Sequence, residues 1–191
     1  MNCSNHRRKY SNHRSRHRKH GLRLLALLFA AVLIGSASGT AYGQDAFITT
    51  WEANRSITIP TEGGANTPDY DFQISWGDGT TESVTGDDPD PSHTYSSSGT
   101  YQVKISTGSD GSFPQIYLNA GRLGDGDEKN AARLRSIDQW GTIQWESMEA
   151  AFSGATNLTY AASDTPDLSN VESMANMFNR ASSFNGAIGS W

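Results

Sequence analysis

Asp78 and His93 could work as an acid/base pair, a carboxylate and an imidazole able to share and relay a proton. Asp78 lies in Trp76-Gly77-Asp78-Gly79-Thr80, and His93 opens the stretch HTYSSSGTYQVKIS, His93–Ser106. A relay also needs a third, orienting group, and the sequence places none. Four of the five histidines fall within the first 20 residues, so His93 has no histidine partner for a metal. The chain contains no Gly-rich phosphate loop, no Ser/His/Asp spacing and no His-Glu-x-x-His. The same letters serve equally well as a turn and a core. The expectation is therefore no catalytic residue and no cofactor site, with Asp78 and His93 in structural roles.

Two acidic stretches are candidates for calcium: DDPDP at 87–91 and GDGDE at 124–128. Calcium takes about six to eight oxygens, and loop carboxylates at alternate positions supply some of them. Asp125, Asp127 and Glu128 form the better set. Neither stretch has the full ligand spacing of an EF-hand or of a Gly-Gly-x-Gly-x-Asp repeat, so both read as solvated turns. Asn54-Arg55-Ser56 and Asn157-Leu158-Thr159 are glycosylation sequons, meaningful only in a glycosylating host.

The N-terminal segment stands apart from the rest. Up to Arg23 there are eight Lys/Arg and no acid, then the apolar run LRLLALLFAAVLIG from Leu22 to Gly35, then small residues. Basic, apolar and small-residue segments in that order describe a secretory signal peptide, with cleavage expected after Gly43. The apolar run is shorter than the roughly 20 residues of a comfortable bilayer span, which disfavours the competing single-pass anchor. The basic stretch reads as the leader's charged start rather than as a nucleic-acid arm. Removing the eight leads to a different charge balance: 7 of the 15 basic residues remain against 20 acidic, a formal charge of −13. Such a chain repels nucleic acid and anionic lipid. The single cysteine, Cys3, lies in the leader, so the remainder has no disulfide, no thiolate nucleophile and no Cys-based zinc site.

Between Phe47 and Leu118 the apolar residues come in short β-branched and aromatic bursts separated by turn-formers, the pattern of an antiparallel sandwich. In YDFQISW, Tyr70, Phe72, Ile74 and Trp76 alternate with polar residues, a period of two that buries one face. In TYQVKIS the inward set is Tyr101, Val103 and Ile105. Asp78-Gly79 reads as a tight hairpin in which both residues take positive φ. Trp76 then closes the core. Trp76-Gly77-Asp78-Gly79 followed by His93-Thr94-Tyr95, Gly99, Tyr101 and Val103 resembles the signature of the PKD (polycystic kidney disease) domain. That resemblance, over roughly 45–106, implies an immunoglobulin-like sandwich acting as an extracellular binding or spacer module without catalysis of its own.

The stretch 119–132 is Gly- and charge-rich and reads as a linker. Beyond it WGTIQWESMEAAFSGATNL, Trp140–Leu158, aligns without a gap on PDLSNVESMANMFNRASSF, Pro166–Phe184, at an offset of 26. Met148 lies over Met174, Phe152 over Phe178, Ala155 over Ala181 and Leu158 over Phe184. A period in the twenties is the range of leucine-rich-repeat solenoids. Each unit reads as a strand and then a short helix, capped by Ser147 or Ser173. Met148, Ala151, Phe152 and Met174, Met177, Phe178 form its apolar stripes, packing between stacked units. Asp167, Ser169, Val171, Met174, Met177, Phe178, Ala181, Phe184, Asn185, Ile188 and Trp191 resemble the repeat of BspA-like leucine-rich-repeat surface proteins. That resemblance implies an exported or surface protein engaged in adhesion, with no catalytic residue to carry over. Trp191 falls within a repeat, so a truncated product or fragment is expected, with Phe184, Ile188 and Trp191 uncovered.

The expected whole is mainly β. Residues 1–43 are a signal peptide, 44–118 a PKD/Ig-like antiparallel β-sandwich, 119–132 a linker and 133–191 an incomplete leucine-rich-repeat solenoid of strands and short helices. The expected function is non-enzymatic adhesion or surface interaction, secreted or at the cell surface. Its partners are an extracellular protein or glycan, contacted by exposed Trp, Tyr and Asn/Asp on the repeat strands. The membrane is met only through export, no nucleic acid is bound, and self-association occurs through the open repeat end. The rival readings are a carbohydrate-binding accessory module of a secreted hydrolase and a plain spacer.

Overall fold

The computed structural model describes residues 45–62, 69–87, 89–119 and 129–191. The fold is mainly β. Its strands are β1 Phe47–Ala53, β2 Ser56–Thr58, β3 Tyr70–Ser75, β4 Thr81–Gly86, β5 Ser92–Thr94, β6 Gly99–Ser106, β7 Leu134–Gln139 and β8 Thr159–Tyr160. Alternation sets β3: Tyr70, Phe72 and Ile74 are buried, whereas Asp71 and Gln73 face solvent. On β6, Val103 and Ile105 are buried as the alternation predicts. Tyr101 is only half-buried, because it stacks on Tyr95 with ring centroids 3.9 Å apart instead of entering the core.

Six strands form one sheet in the order β4-β3-β6-β1-β7-β8, and β2 pairs with β5 in a second. β1 is the hinge of this arrangement. It runs antiparallel to β6, with Phe47 opposite Ile105 and Ala53 opposite Gly99. Its other edge pairs antiparallel with β7 through two register shifts. β7 and β8 then pair in parallel, Ser136 opposite Thr159. The sheet is therefore mixed, and the strand that opens the repeat region is hydrogen-bonded directly to β1.

The core follows the sheet across that junction. Phe47 stacks on Trp140 at 5.5 Å and meets Trp145 edge-on at 5.1 Å. Phe113 touches both Phe72, at 4.9 Å, and Trp145, at 5.7 Å. Four tryptophans, Trp51, Trp76, Trp140 and Trp145, are among the fully buried side chains. The described ends of the stretch between the two halves are tied down. Asn130 accepts from the Thr58 N–H at 3.1 Å and donates to the Thr58 carbonyl at 2.8 Å, while the Asn119 N–H donates to Ala150 O at 3.2 Å.

The repeat units contain no helix where the serine caps predict one. Residues 149–154 and 175–180 are runs of turns. Their N–H groups reach back three residues, Ala151 to Met148, Ser153 to Ala150, Met177 to Met174 and Asn179 to Asn176. Ala150 (φ 48), Gly154 (φ 79), Asn176 (φ 58) and Arg180 (φ 61) are left-handed, at matching places in the two units. A left-handed residue every fourth position interrupts an α-helix. The intervening donors bond across units instead: Met148 to Ser173 O, Ala150 to Ala175 O, Phe152 to Met177 O and Gly154 to Asn179 O, all at 2.8 Å. Ser147 and Ser173 still cap, accepting from the N–H two residues on, but what they start is a turn. Met148, Ala151 and Phe152 are fully buried beneath the second unit.

Candidate functional site

The turn joining β3 to β4 brings Asp78 and His93 together. It closes with the Trp76 N–H donating to Thr80 O at 3.1 Å. Three residues lie between, and the left-handed ones are Gly77 (φ 85) and Gly79 (φ 96), not Asp78. This corrects the two-residue hairpin: the glycines carry the unusual backbone, which frees the Asp78 side chain. Asp78 Oδ1 accepts from the Thr80 N–H at 3.0 Å and from the Thr80 hydroxyl at 2.6 Å. Asp78 Oδ2 lies 2.8 Å from His93 Nε2. The Thr80 hydroxyl, then the imidazole, hold the Asp78 carboxyl down at about 2.

His93 is clamped by rings. Its imidazole stacks on Trp76 at 5.1 Å and meets Tyr95 edge-on at 4.6 Å. The Tyr95 hydroxyl donates to Trp76 O at 2.9 Å, and burial raises its pKa. Trp76 is fully buried, as a core lid, with its indole N–H 3.3 Å from Glu82 Oε2. Thr80 Oγ lies 3.4 Å from the same His93 Nε2 that meets Asp78. A nucleophile–base–acid relay uses both imidazole nitrogens, one for the hydroxyl and one for the carboxylate. Here hydroxyl and carboxylate converge on one nitrogen, and the hydroxyl bonds the carboxylate directly. The arrangement locks a turn onto β5.

The calcium candidates Asp125, Asp127 and Glu128 lie outside the described residues. So does Asp88 of the first acidic stretch. Its Asp90 ties two loops together, Oδ1 accepting from the Thr61 N–H at 2.8 Å. Among the described residues no group of three or more His, Cys, Asp or Glu is placed to hold a metal. Among the described residues, no helix is long and apolar enough to cross a membrane; the run Leu22–Gly35 is not among them.

A second site opens on the far side of the second repeat unit. A largely apolar groove of about 610 Å³ is lined by Leu168, Met174, Met177, Phe178, Ile188 and Trp191, together with Asn176 and Asn179. Of the three residues expected to be uncovered, only Ile188 is exposed, at 43%. Phe184 stacks on Phe178 at 4.0 Å, and Trp191 folds back edge-on against Trp140 at 5.2 Å. Met174 is 54% exposed, whereas its counterpart Met148 is fully buried. The alignment of these two methionines was the signal that could have identified it. Trp140 and Trp145, at the start of the repeat region, are fully buried in the core.

Comparison with known proteins places a likeness on the repeat region alone. The model of the family described as "Mycoplasma protein of unknown function, DUF285" matches residues 127–191. No curated protein and no solved structure matches the chain.

Proposed function

We propose that this is an exported, non-enzymatic surface protein in which a PKD-like sandwich carries leucine-rich-repeat-like units that bind an extracellular protein or glycan. The observation that carries this reading is the cross-unit ladder. Two 26-residue units stack with their turns in register and their left-handed residues at equivalent places. Stacked units of this kind present side chains at a fixed pitch over an extended face, a geometry suited to gripping a partner. Support comes also from the shared sheet, which gives the units a rigid base, and from the strongly acidic composition. Asp78 and His93 serve the sandwich in this reading. The basic and apolar leader directs export.

The test is saturable binding of labelled protein to cell surfaces and to immobilised extracellular proteins and glycans. Protease-sensitive binding identifies a protein partner. Periodate-sensitive binding identifies a glycan and favours the accessory-module reading. Absence of saturable binding to any of these surfaces overturns the proposal.

A further inference from the structure

Asn185-Gly186 is the one Asn-Gly pair in the chain. Packing demands the glycine. A Cβ at position 186 would lie 2.8 Å from Tyr160 Cβ and Cγ and from Phe184 Cζ, closer than side-chain carbons approach. No larger residue fits there without a shift of its neighbours. The same missing side chain leaves no Cβ in the path of an attack by the Gly186 nitrogen on the residue before it.

Both reacting groups are free. Asn185 is exposed and lies outside any strand or turn. Its side chain has no hydrogen-bond partner among the described residues, and the Gly186 N–H has no acceptor among them. Other asparagines differ on one of these points. The amides of Asn130 and Asn157 donate to Thr58 O and Ala132 O, each at 2.8 Å. After Asn170 and Asn176 the next N–H is engaged: Val171 donates to Leu168 O at 3.1 Å, and Met177 to Met174 O at 3.2 Å. Thr159, the equivalent of Asn185 in the first unit, is exposed although the second unit packs on the first. Exposure at this place therefore survives stacking.

We propose that Asn185 is a site of spontaneous deamidation, and that its isoaspartate product loosens the contact of Gly186 with Tyr160. The Gly186 nitrogen attacks Asn185 Cγ and a C–N bond forms. The Cγ–Nδ2 bond breaks, and Nδ2 leaves as ammonia with the proton given up by the Gly186 nitrogen. Water then opens the cyclic imide. Opening at Cγ gives aspartate on the original backbone. Opening at the main-chain carbonyl gives isoaspartate, with the backbone routed through the former side chain. Water is the sole co-reactant, and nothing is oxidised or reduced. Base speeds the first step, because the deprotonated amide nitrogen is the nucleophile. Isoaspartate inserts one extra backbone carbon between Phe184 and Gly186, both of which rest on Tyr160; Phe184 meets that ring edge-on at 6.1 Å. Nothing in this chemistry depends on adhesion.

The full chain is held at neutral and at mildly alkaline pH and mapped by peptide mass spectrometry, with aspartate and isoaspartate resolved by retention. Asn185 should convert roughly 10-fold or more faster than Asn176, where the attacking nitrogen is held elsewhere, and faster still at the higher pH. Asn185→Gln, which would have to close a larger ring, should remove the product. Absence of conversion at Asn185 in the folded chain, even with conversion in urea, would overturn the site, since packing on Tyr160 would then hold the two groups apart. So would equal conversion at Asn185 and Asn176. The isoaspartate fraction, separated by ion exchange, should melt at a lower temperature than the Asn185→Asp variant, which carries the same charge on an unaltered backbone. Equal midpoints would overturn the loosening at Tyr160.

Discussion

Phe47 stacks on Trp140 with ring centroids 5.5 Å apart and planes inclined by 26°. One ring belongs to β1, the other to the repeat region, and both are fully buried. This contact joins two halves that the sequence presents as successive domains. Trp140 also meets Trp145, Phe152 and Trp191 edge-on. Truncating it removes contacts on both sides of the junction at once. Trp140→Ala should cost about 3–5 kcal/mol, as for other large buried aromatics. Urea unfolding followed by circular dichroism and by hydrogen exchange in β3 and in 148–152 should shift together. Loss confined to the repeats would show that the junction does not couple the halves.

Gly77 and Gly79 flank Asp78 with similar backbones but different surroundings. A Cβ on Gly77 would lie 2.6 Å from Gln102 O, whereas one on Gly79 would meet nothing within 4 Å. Gly79→Ala should therefore cost only the left-handed backbone penalty, about 1–2 kcal/mol. Gly77→Ala should cost clearly more, because β6 must also move. Denaturation midpoints of the two variants check the order; equal midpoints would contradict the close approach.

The Asp78 carboxyl is held down at about 2, below its ordinary 3.8. A depressed carboxyl contributes stability that is fully present above the unfolded value and is lost as pH falls through the folded one. The window is therefore about pH 4 to pH 2. Because the carboxylate is partly exposed, solvent screening reduces its contribution to about 1 kcal/mol or less. Asp78→Asn retains an oxygen for Thr80 but loses the charge facing His93. Stability measured by urea titration across this window should fall less steeply for Asp78→Asn than for the parent chain. A steeper fall would show the carboxyl is not held low.

Ala150 is buried at φ 48, where a Cβ is unfavourable, and its counterpart Asn176 is of a type that tolerates that conformation. Ala150→Gly should relieve the strain and leave the Ala150 N–H to Ala175 O bond intact. The expected gain is about 0.5–1 kcal/mol, the strain relief offset by added freedom of the unfolded chain. A rise in thermal midpoint checks it. Destabilisation would mean that the Ala150 methyl packs between the units more than its backbone strains.

What was legible in the sequence was local or periodic. Alternation along Tyr70–Trp76 identified the buried face of β3, because a strand's side-chain period is fixed by its own backbone. The offset of 26 identified equivalent residues in the two units, down to Met148 and Met174. Only the tertiary structure decided what those units are made of. Apolar residues at i, i+3 and i+4 suit a helical turn and a run of linked turns equally. The choice lies with the Met148, Ala150 and Phe152 donors, which bond to carbonyls 25 residues onward rather than to their own turn. Nor does any local pattern reveal that β1 pairs with β7, Thr50 opposite Ser136. Strand pairing joins residues far apart in sequence, and it is selected by the shared burial of Phe47, Trp140 and Trp145. The proximity of Asp78 and His93 follows the same rule: the motif supplied both residues, but the packing of Trp76 and Tyr95 around the imidazole sets their geometry.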